Sequence, residues 1–264
     1  MELKDYTNAN KAAWDQASAI HEDANFADLI EGFKSPGYST LDTTASEIFE
    51  HLVVKSKDVA QLCCNNGREL LSIKNMGARR CCGFDISEKF INQAQRLAQV
   101  SGQDCEFIAT DIYDILPCYD HSFDVVFTTI GVLGWMPDLG RFFNVVRRIL
   151  RQHGWLFVYE MHPFLDVFEP DDQAKPPLPV YSYFKKDPWV DTSGLDYFSG
   201  KNYPSVPTYY FHHTLSEIFN CCLENNLEIR SFKEYPHDIS MVYAHLEKQE
   251  TELPMCFTLT AQRS

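Results

Sequence analysis

Polar residues stand at four places where an apolar run stops. Cys63-Cys64-Asn65-Asn66-Gly67 follows Val59 to Leu62, Asp85 follows Cys81 to Phe84, Asp111 follows Cys105 to Ala109, and Thr128-Thr129-Ile130-Gly131 follows Phe123 to Phe127. A tight turn after the first run lets backbone amides approach a ligand. An acid about 20 positions on can accept hydrogen bonds from both hydroxyls of a ribose. Gly67 and Asp85 are 18 positions apart. Asp111, after the third run, can accept from an adenine amino group. This spacing points to a ligand containing adenosine. A fifth run, Trp155 to Tyr159, ends at Glu160 and His162, which should face the same cleft and are candidate proton acceptors. Tyr38 is a further candidate from the N-terminal segment. His21 reads as a surface residue, and His212 and His213 as the start of a helix.

These positions need a scaffold, and the apolar spacing supplies one. Short apolar runs alternate with helical patterns through residues 58–162. Phe90, Ile91, Ala94, Leu97 and Ala98 form one stripe, and Leu139, Phe142, Phe143, Val146, Ile149 and Leu150 another. That alternation predicts an α/β domain with a mainly parallel sheet and helices on both faces. Ligands of such sheets bind at the carboxyl ends of the strands. Residues 227–235 and 256–261 are two further strands, read as antiparallel neighbours, which makes seven. Thr214-Leu215-Ser216-Glu217 is a capping box that opens a helix.

Residues 163–211 break the pattern. Eight of the thirteen prolines lie there, and ten of the 31 residues from Tyr181 to Phe211 are aromatic. So long a connection predicts a lid. The expected organisation is an N-terminal helical segment over 1–57 that closes on the site, a binding domain over 58–162 and 212–264, and a cap over 163–211.

The four strand-end segments resemble the motifs of class I S-adenosylmethionine-dependent methyltransferases, over residues 40–162 well and 213–264 loosely. The first motif, an acid followed by G-x-G-x-G, stands here as Gln61-Leu62-Cys63-Cys64-Asn65-Asn66-Gly67, with only the last glycine kept. Asn tolerates a left-handed backbone. Gly83-Phe84-Asp85-Ile86-Ser87 is the second motif, Thr110-Asp111-Ile112 the third, and Phe123 to Thr129 with Trp135 the fourth. The resemblance implies a Rossmann-like fold and S-adenosylmethionine as cofactor. It implies that Asp85 holds the ribose, Ile86 packs on the adenine, and Asp111 with Ile112 meets the adenine edge. A NAD-binding domain would need glycines at 63 and 65 to admit a pyrophosphate.

Composition narrows the acceptor. With 37 acidic and 23 basic residues the formal charge is −14. Nucleic-acid binding relies on clustered Lys and Arg. The densest basic group, Arg147, Arg148 and Arg151, has the spacing of a solvated helix face. The expectation is an enzyme transferring a methyl group to a small molecule, with no nucleic-acid or membrane partner, acting as a monomer or homodimer. An aromatic cap can attract the sulfonium cation. Two other readings share the cofactor: cyclisation of S-adenosylmethionine to azetidine-2-carboxylate and methylthioadenosine, and a binding module without catalysis. The nine cysteines show no C-x-x-C spacing, so no metal site is expected. An odd cysteine count and an N-terminus without an apolar leader predict reduced thiols in the cytoplasm.

Overall fold

A computed structural model describes residues 1–170, 177–198, 200–247 and 249–264. Part of the expected cap, residues 171–176 and Ser199, lies outside the described residues. Five strands run parallel: β1 (Asp58–Leu62), β2 (Arg80–Asp85), β3 (Cys105–Ala109), β4 (Phe123–Thr129) and β5 (Leu150–Met161). Two more, β8 (Leu227–Tyr235) and β9 (Cys256–Arg263), pair antiparallel to each other, and β9 to β5. The order across the sheet is β3-β2-β1-β4-β5-β9-β8. The expected seven-stranded Rossmann-like sheet is therefore present, with its antiparallel edge.

Each strand is where the sequence dictates. Phe123, Val125, Val126 and Phe127 are at most 1% exposed, because β4 lies between β1 and β5 with helices on both faces. Alternate residues feed two cores. Ala60, Leu62 and Val126 pack with α6 (Leu139–Ile149) and α7 (Leu215–Glu224). Val59, Val125 and Phe127 pack with α3 (Thr43–His51), α4 (Arg68–Asn75) and α5 (Glu88–Ser101). Helix starts follow local chemistry. Ser87, Asp138 and Thr214 cap α5, α6 and α7 with their side-chain oxygens.

Two N-terminal helices, α1 (Leu3–His21) and α2 (Ala27–Phe33), are joined by one π-helical turn at Glu22–Phe26. Within the cap, β6 (Trp189–Asp191) and β7 (Thr208–Tyr210) form a separate two-stranded ribbon. α1 is bound to that ribbon edge: the Asn10 amide donates to the Tyr209 carbonyl (2.9 Å) and accepts from the Tyr209 N–H (2.8 Å).

The expected solvated face of basic residues is corrected by ion pairs. Arg151 lies in β5, not on a helix, and bridges Asp58 (2.7 Å) and Asp124 (2.9 Å). Arg148 pairs with Asp120. Among the described residues no helix is long and apolar enough to cross a membrane.

Candidate functional site

All four predicted segments meet at the carboxyl end of the sheet. The turn after β1 keeps the backbone of a three-glycine motif with only one glycine. Cys63 (φ 54°), Asn65 (φ 49°) and Gly67 (φ 74°) are all left-handed. Such a backbone costs a non-glycine residue about 1–2 kcal/mol, less for Asn. Gly67 alone is sterically fixed, since a Cβ there would lie 2.5 Å from the Phe107 ring.

Asp85 secures this turn. Its Oδ2 accepts from Asn65 N (2.8 Å) and its Oδ1 from Ser87 N (2.9 Å). Each oxygen keeps a second lone pair, enough for two ribose hydroxyls. Burial pushes the Asp85 carboxyl up to about 6 despite the amide donors. Ile86 is half-buried beside it, and Ile112 is buried after β3. Asn66 is buried in the turn and accepts a hydrogen bond from Asn65 at neither side-chain atom; instead its N–H donates to Asn65 Oδ1 (2.8 Å). Asp111 is held from above: Lys4 Nζ of α1 donates to its Oδ2 (2.8 Å), and Tyr113 N donates to Oδ1 (3.0 Å). The Cys63 thiol is surrounded by Asp85, Asp111 and Glu160, and burial first, then these charges, raises it well above its usual range. It stays a neutral packing atom rather than a nucleophile.

Gln61 and the two threonines complete the strand ends. Gln61 Nε2 donates to Glu69 Oε2 (2.6 Å), Thr129 Oγ1 donates to the same oxygen (2.5 Å), and Thr128 Oγ1 points to the Leu62 carbonyl (3.4 Å). Trp135 stands edge-on to Trp14 of α1 and to Tyr210 of β7, with centroids 5.4 and 5.5 Å apart. α1 and the cap ribbon thus meet over the strand ends.

A narrow crevice runs from the end of β5 beneath β7, bordered by Gly134, Glu160, Met161, Asp166, Tyr210 and His213 among others. Glu160 is 5% exposed and anchors the loop after β4: it accepts from Gly131 N, from Met161 N (2.8 Å) and from Leu133 N (3.1 Å). Burial outweighs those donors and pushes its carboxyl up to about 7.

The candidate proton acceptors sort differently from the sequence expectation. His162 borders the crevice, but Nδ1 accepts from Phe164 N (3.1 Å) and Nε2 lies 2.9 Å from Glu234. Nδ1 thus caps the turn that follows, while Nε2 is buried near the Glu234 carboxylate without a well-formed hydrogen bond. Tyr38 lies away from the cleft, its ring 5.0 Å from Phe33 and its carbonyl bonded to Asn75. His21 is not a surface residue: it is 3% exposed, bonded to the Leu195 carbonyl (2.7 Å), and ringed by Trp14, Phe90, Tyr197 and Phe198. His213 is better placed than either candidate. Nε2 lies 2.8 Å from the Met136 carbonyl, so it carries the proton, and burial lowers the pKa, leaving Nδ1 a neutral acceptor beside the crevice.

The residues missed from sequence come from elements remote along the chain. Tyr210 sits against Gly134, where a Cβ would lie 2.1 Å from its ring. Asp15 of α1 accepts from Ser87 Oγ (2.5 Å), beside Asp85. Glu69 carried one signal: it is an acid in the first turn of the helix that follows the glycine turn.

Fold and candidate site together give an α/β domain with its polar turns and acidic residues gathered at the strand ends. Residues 60–158 match the family described as a methyltransferase domain. Over that stretch the chain resembles methyltransferase domains, and its sheet has a Rossmann-like fold. An S-adenosylmethionine-dependent methyltransferase from Mesorhizobium loti shares the fold at TM-score 0.63 and 20% identity, over 82% of this chain and 96% of that one. Among curated relatives, the tRNA U34 carboxymethyltransferase of Nautilia profundicola is 33% identical over 88 residues, 33% of this chain and 29% of the relative. That of Campylobacter jejuni strain 81-176 is 23% identical over 206 residues, 78% of this chain and 60% of the relative. The chain thus spans less than two-thirds of the length of these relatives.

Proposed function

We propose that the chain transfers the methyl group of S-adenosylmethionine to a small molecule bound at the strand ends beside β7. The observation that carries this reading is the roof: Tyr210 and Phe211 line a narrow crevice together with Glu160 at the end of β5, so this strand end is covered rather than open to a macromolecule. In the reaction, a lone pair of the acceptor attacks the methyl carbon. The carbon–sulfur bond breaks, its electron pair stays on sulfur, and neutral S-adenosylhomocysteine leaves. Alignment and exclusion of water are the main needs of such a displacement. Trp135, Tyr210 and Trp14 supply an apolar wall. Asp85 and Glu160 give the cleft the negative field that a sulfonium cation prefers. His213 Nδ1 is the group set to take a proton from the acceptor.

A second reading comes from the relatives' name, a tRNA acceptor with a carboxymethyl donor. A carboxymethyl group brings a carboxylate to the reacting carbon. Among the described residues the crevice borders present Glu160 and Asp166 and no Lys or Arg, which argues for an uncharged methyl. The charge of −14 argues against a tRNA phosphate backbone.

Incubation with methyl-labelled S-adenosylmethionine tests the choice. With a metabolite extract, label should move to a low-mass product with S-adenosylhomocysteine formed in equal amount. Label in added tRNA would favour the second reading. Methylthioadenosine released from S-adenosylmethionine alone, above an enzyme-free control, would instead support cyclisation.

A further inference from the structure

The polar groups that border the crevice beside β7 are almost all acceptors. Both carboxylate oxygens of Glu160 are taken by the amides of Gly131, Leu133 and Met161. Asp166 is different. His212 Nδ1 donates to its Oδ2 (2.8 Å), and its Oδ1 makes no hydrogen bond among the described residues. Asp166 lies in the turn Pro163–Val167 at the start of the cap, and His212 follows β7 at its end, so the pair clasps the cap across 46 positions. The His212 side chain is 1% exposed and stands edge-on to the rings of Tyr183 (5.1 Å) and Trp189 (6.2 Å), which fixes the Asp166 carboxylate at the crevice border. His213 Nδ1 is a second acceptor without a hydrogen bond among the described residues. Burial outweighs His212 and raises the Asp166 carboxyl above its ordinary value, and a cation beside it would favour the ionised form again. Tyr210 and Phe211 add aromatic faces, which attract cations. Unused acceptors, a carboxylate without Lys or Arg, and an aromatic wall together call for a group that is positive and donates hydrogen bonds.

We propose that the acceptor is an amine without an acid group, whose nitrogen enters the crevice as an ammonium, pairs with Asp166 Oδ1 and is methylated there. The inference rests on the methyl-transfer reading and adds the class of acceptor. The crevice is narrow, so it takes the nitrogen end of the acceptor and not the whole molecule. His213 Nδ1 takes one proton from the ammonium, which frees the nitrogen lone pair. That pair attacks the methyl carbon, and the carbon–sulfur bond breaks with its electrons left on sulfur. The product is a methylated ammonium, still positive, beside neutral S-adenosylhomocysteine and a protonated His213. His212 is a positioning residue: it holds Asp166 and does not touch the acceptor. An acceptor carrying a carboxylate is disfavoured, because Glu160 and Asp166 would both face it.

The test incubates the full chain with methyl-labelled S-adenosylmethionine and a metabolite extract split on a cation exchanger at pH 7. Label should enter the retained fraction, and the labelled product should itself be retained. Asp166→Asn should cut that transfer by roughly tenfold or more, while calorimetry shows S-adenosylhomocysteine affinity changed by less than about twofold. His212→Phe should lose as much as Asp166→Asn, and His212→Asn, which keeps an N–H donor, should recover most of the loss. Label chiefly in the unretained fraction would overturn the amine assignment and leave methyl transfer standing. Full transfer by Asp166→Asn would overturn it too, as would an equal loss of S-adenosylhomocysteine affinity, which marks a structural role. Label in neither fraction would overturn the methyl-transfer reading itself, and the inference with it.

Discussion

The two ends of the parallel sheet both bury carboxylates, and they treat them in opposite ways. At the amino end Asp58 is gripped by Arg79 (2.7 Å) and Arg151 (2.7 Å), and the Arg79 hydrogen bond, ahead of Arg151, holds its carboxyl down at about 2. At the carboxyl end Asp85 and Glu160 receive only neutral amide donors, and burial pushes them up to about 6 and about 7. A paired buried charge fastens strands together. An unpaired one raises the energy of the ionised form and leaves the site favouring a cation. The difference separates the end that holds the fold from the end that carries the candidate site.

The strongest way to break this contrast is at the amino end. Asp58→Asn takes the carboxylate from Arg79 and leaves Arg151 with Asp124 alone, and should cost about 2 kcal/mol in urea denaturation, while S-adenosylhomocysteine affinity stays unchanged. A loss of affinity would show that the two ends are coupled. At the carboxyl end the roof should matter more than the scaffold. Gly134→Ala places a methyl group 2.1 Å from the Tyr210 ring. It should cut methyl-transfer turnover by roughly tenfold while costing about 1–3 kcal/mol of stability. Cofactor affinity should hold, because Tyr210 covers the acceptor side.

Smaller effects sharpen the comparison. Cys63→Gly removes a side chain from a left-handed position and should raise stability by about 1 kcal/mol without loss of cofactor binding. A decrease would assign the thiol a packing role that outweighs the backbone strain. The pH dependence of the two ends should have opposite sign. Asp58 is lowered from 3.8 to about 2, so its contribution is present above pH 3.8 and is lost as pH falls through about 2. Glu160 is raised from 4.5 to about 7, so its contribution is present below pH 4.5 and is lost as pH rises through about 7. The stability difference between the unmodified chain and Glu160→Gln should therefore shrink between pH 5 and pH 8, by an amount set by the 4.5-to-7 shift. A constant difference would contradict the assignment.

The sheet was legible because its signals are local. Strand ends at Leu62, Asp85, Ala109 and Thr129 follow from apolar runs and polar stops. The turn geometry was legible too: all three glycine positions keep positive φ although two have changed residue. The roof was legible only as composition. An excess of aromatics between Tyr181 and Phe211 marks a cap, but nothing local says that Tyr210 faces Gly134, 76 positions away, or that Asn10 binds Tyr209. Those contacts depend on how α1 and the ribbon fold back over the sheet. The surroundings of the histidines were hidden for a related reason. His162 follows a strand end at the cleft, yet its Nδ1 is taken by the next turn and its Nε2 lies beside Glu234 of an antiparallel edge strand. His213, set aside as a helix start, gains its free nitrogen from a bond to a remote carbonyl.

A crystal structure of the full chain with S-adenosylhomocysteine tests the central claim most directly. The account predicts the ribose on Asp85, the sulfur between Cys63 and the Glu160–Tyr210 crevice, and a space for the acceptor beneath β7. A ligand bound elsewhere, or a sulfur facing a filled crevice with no room for an acceptor, would contradict it.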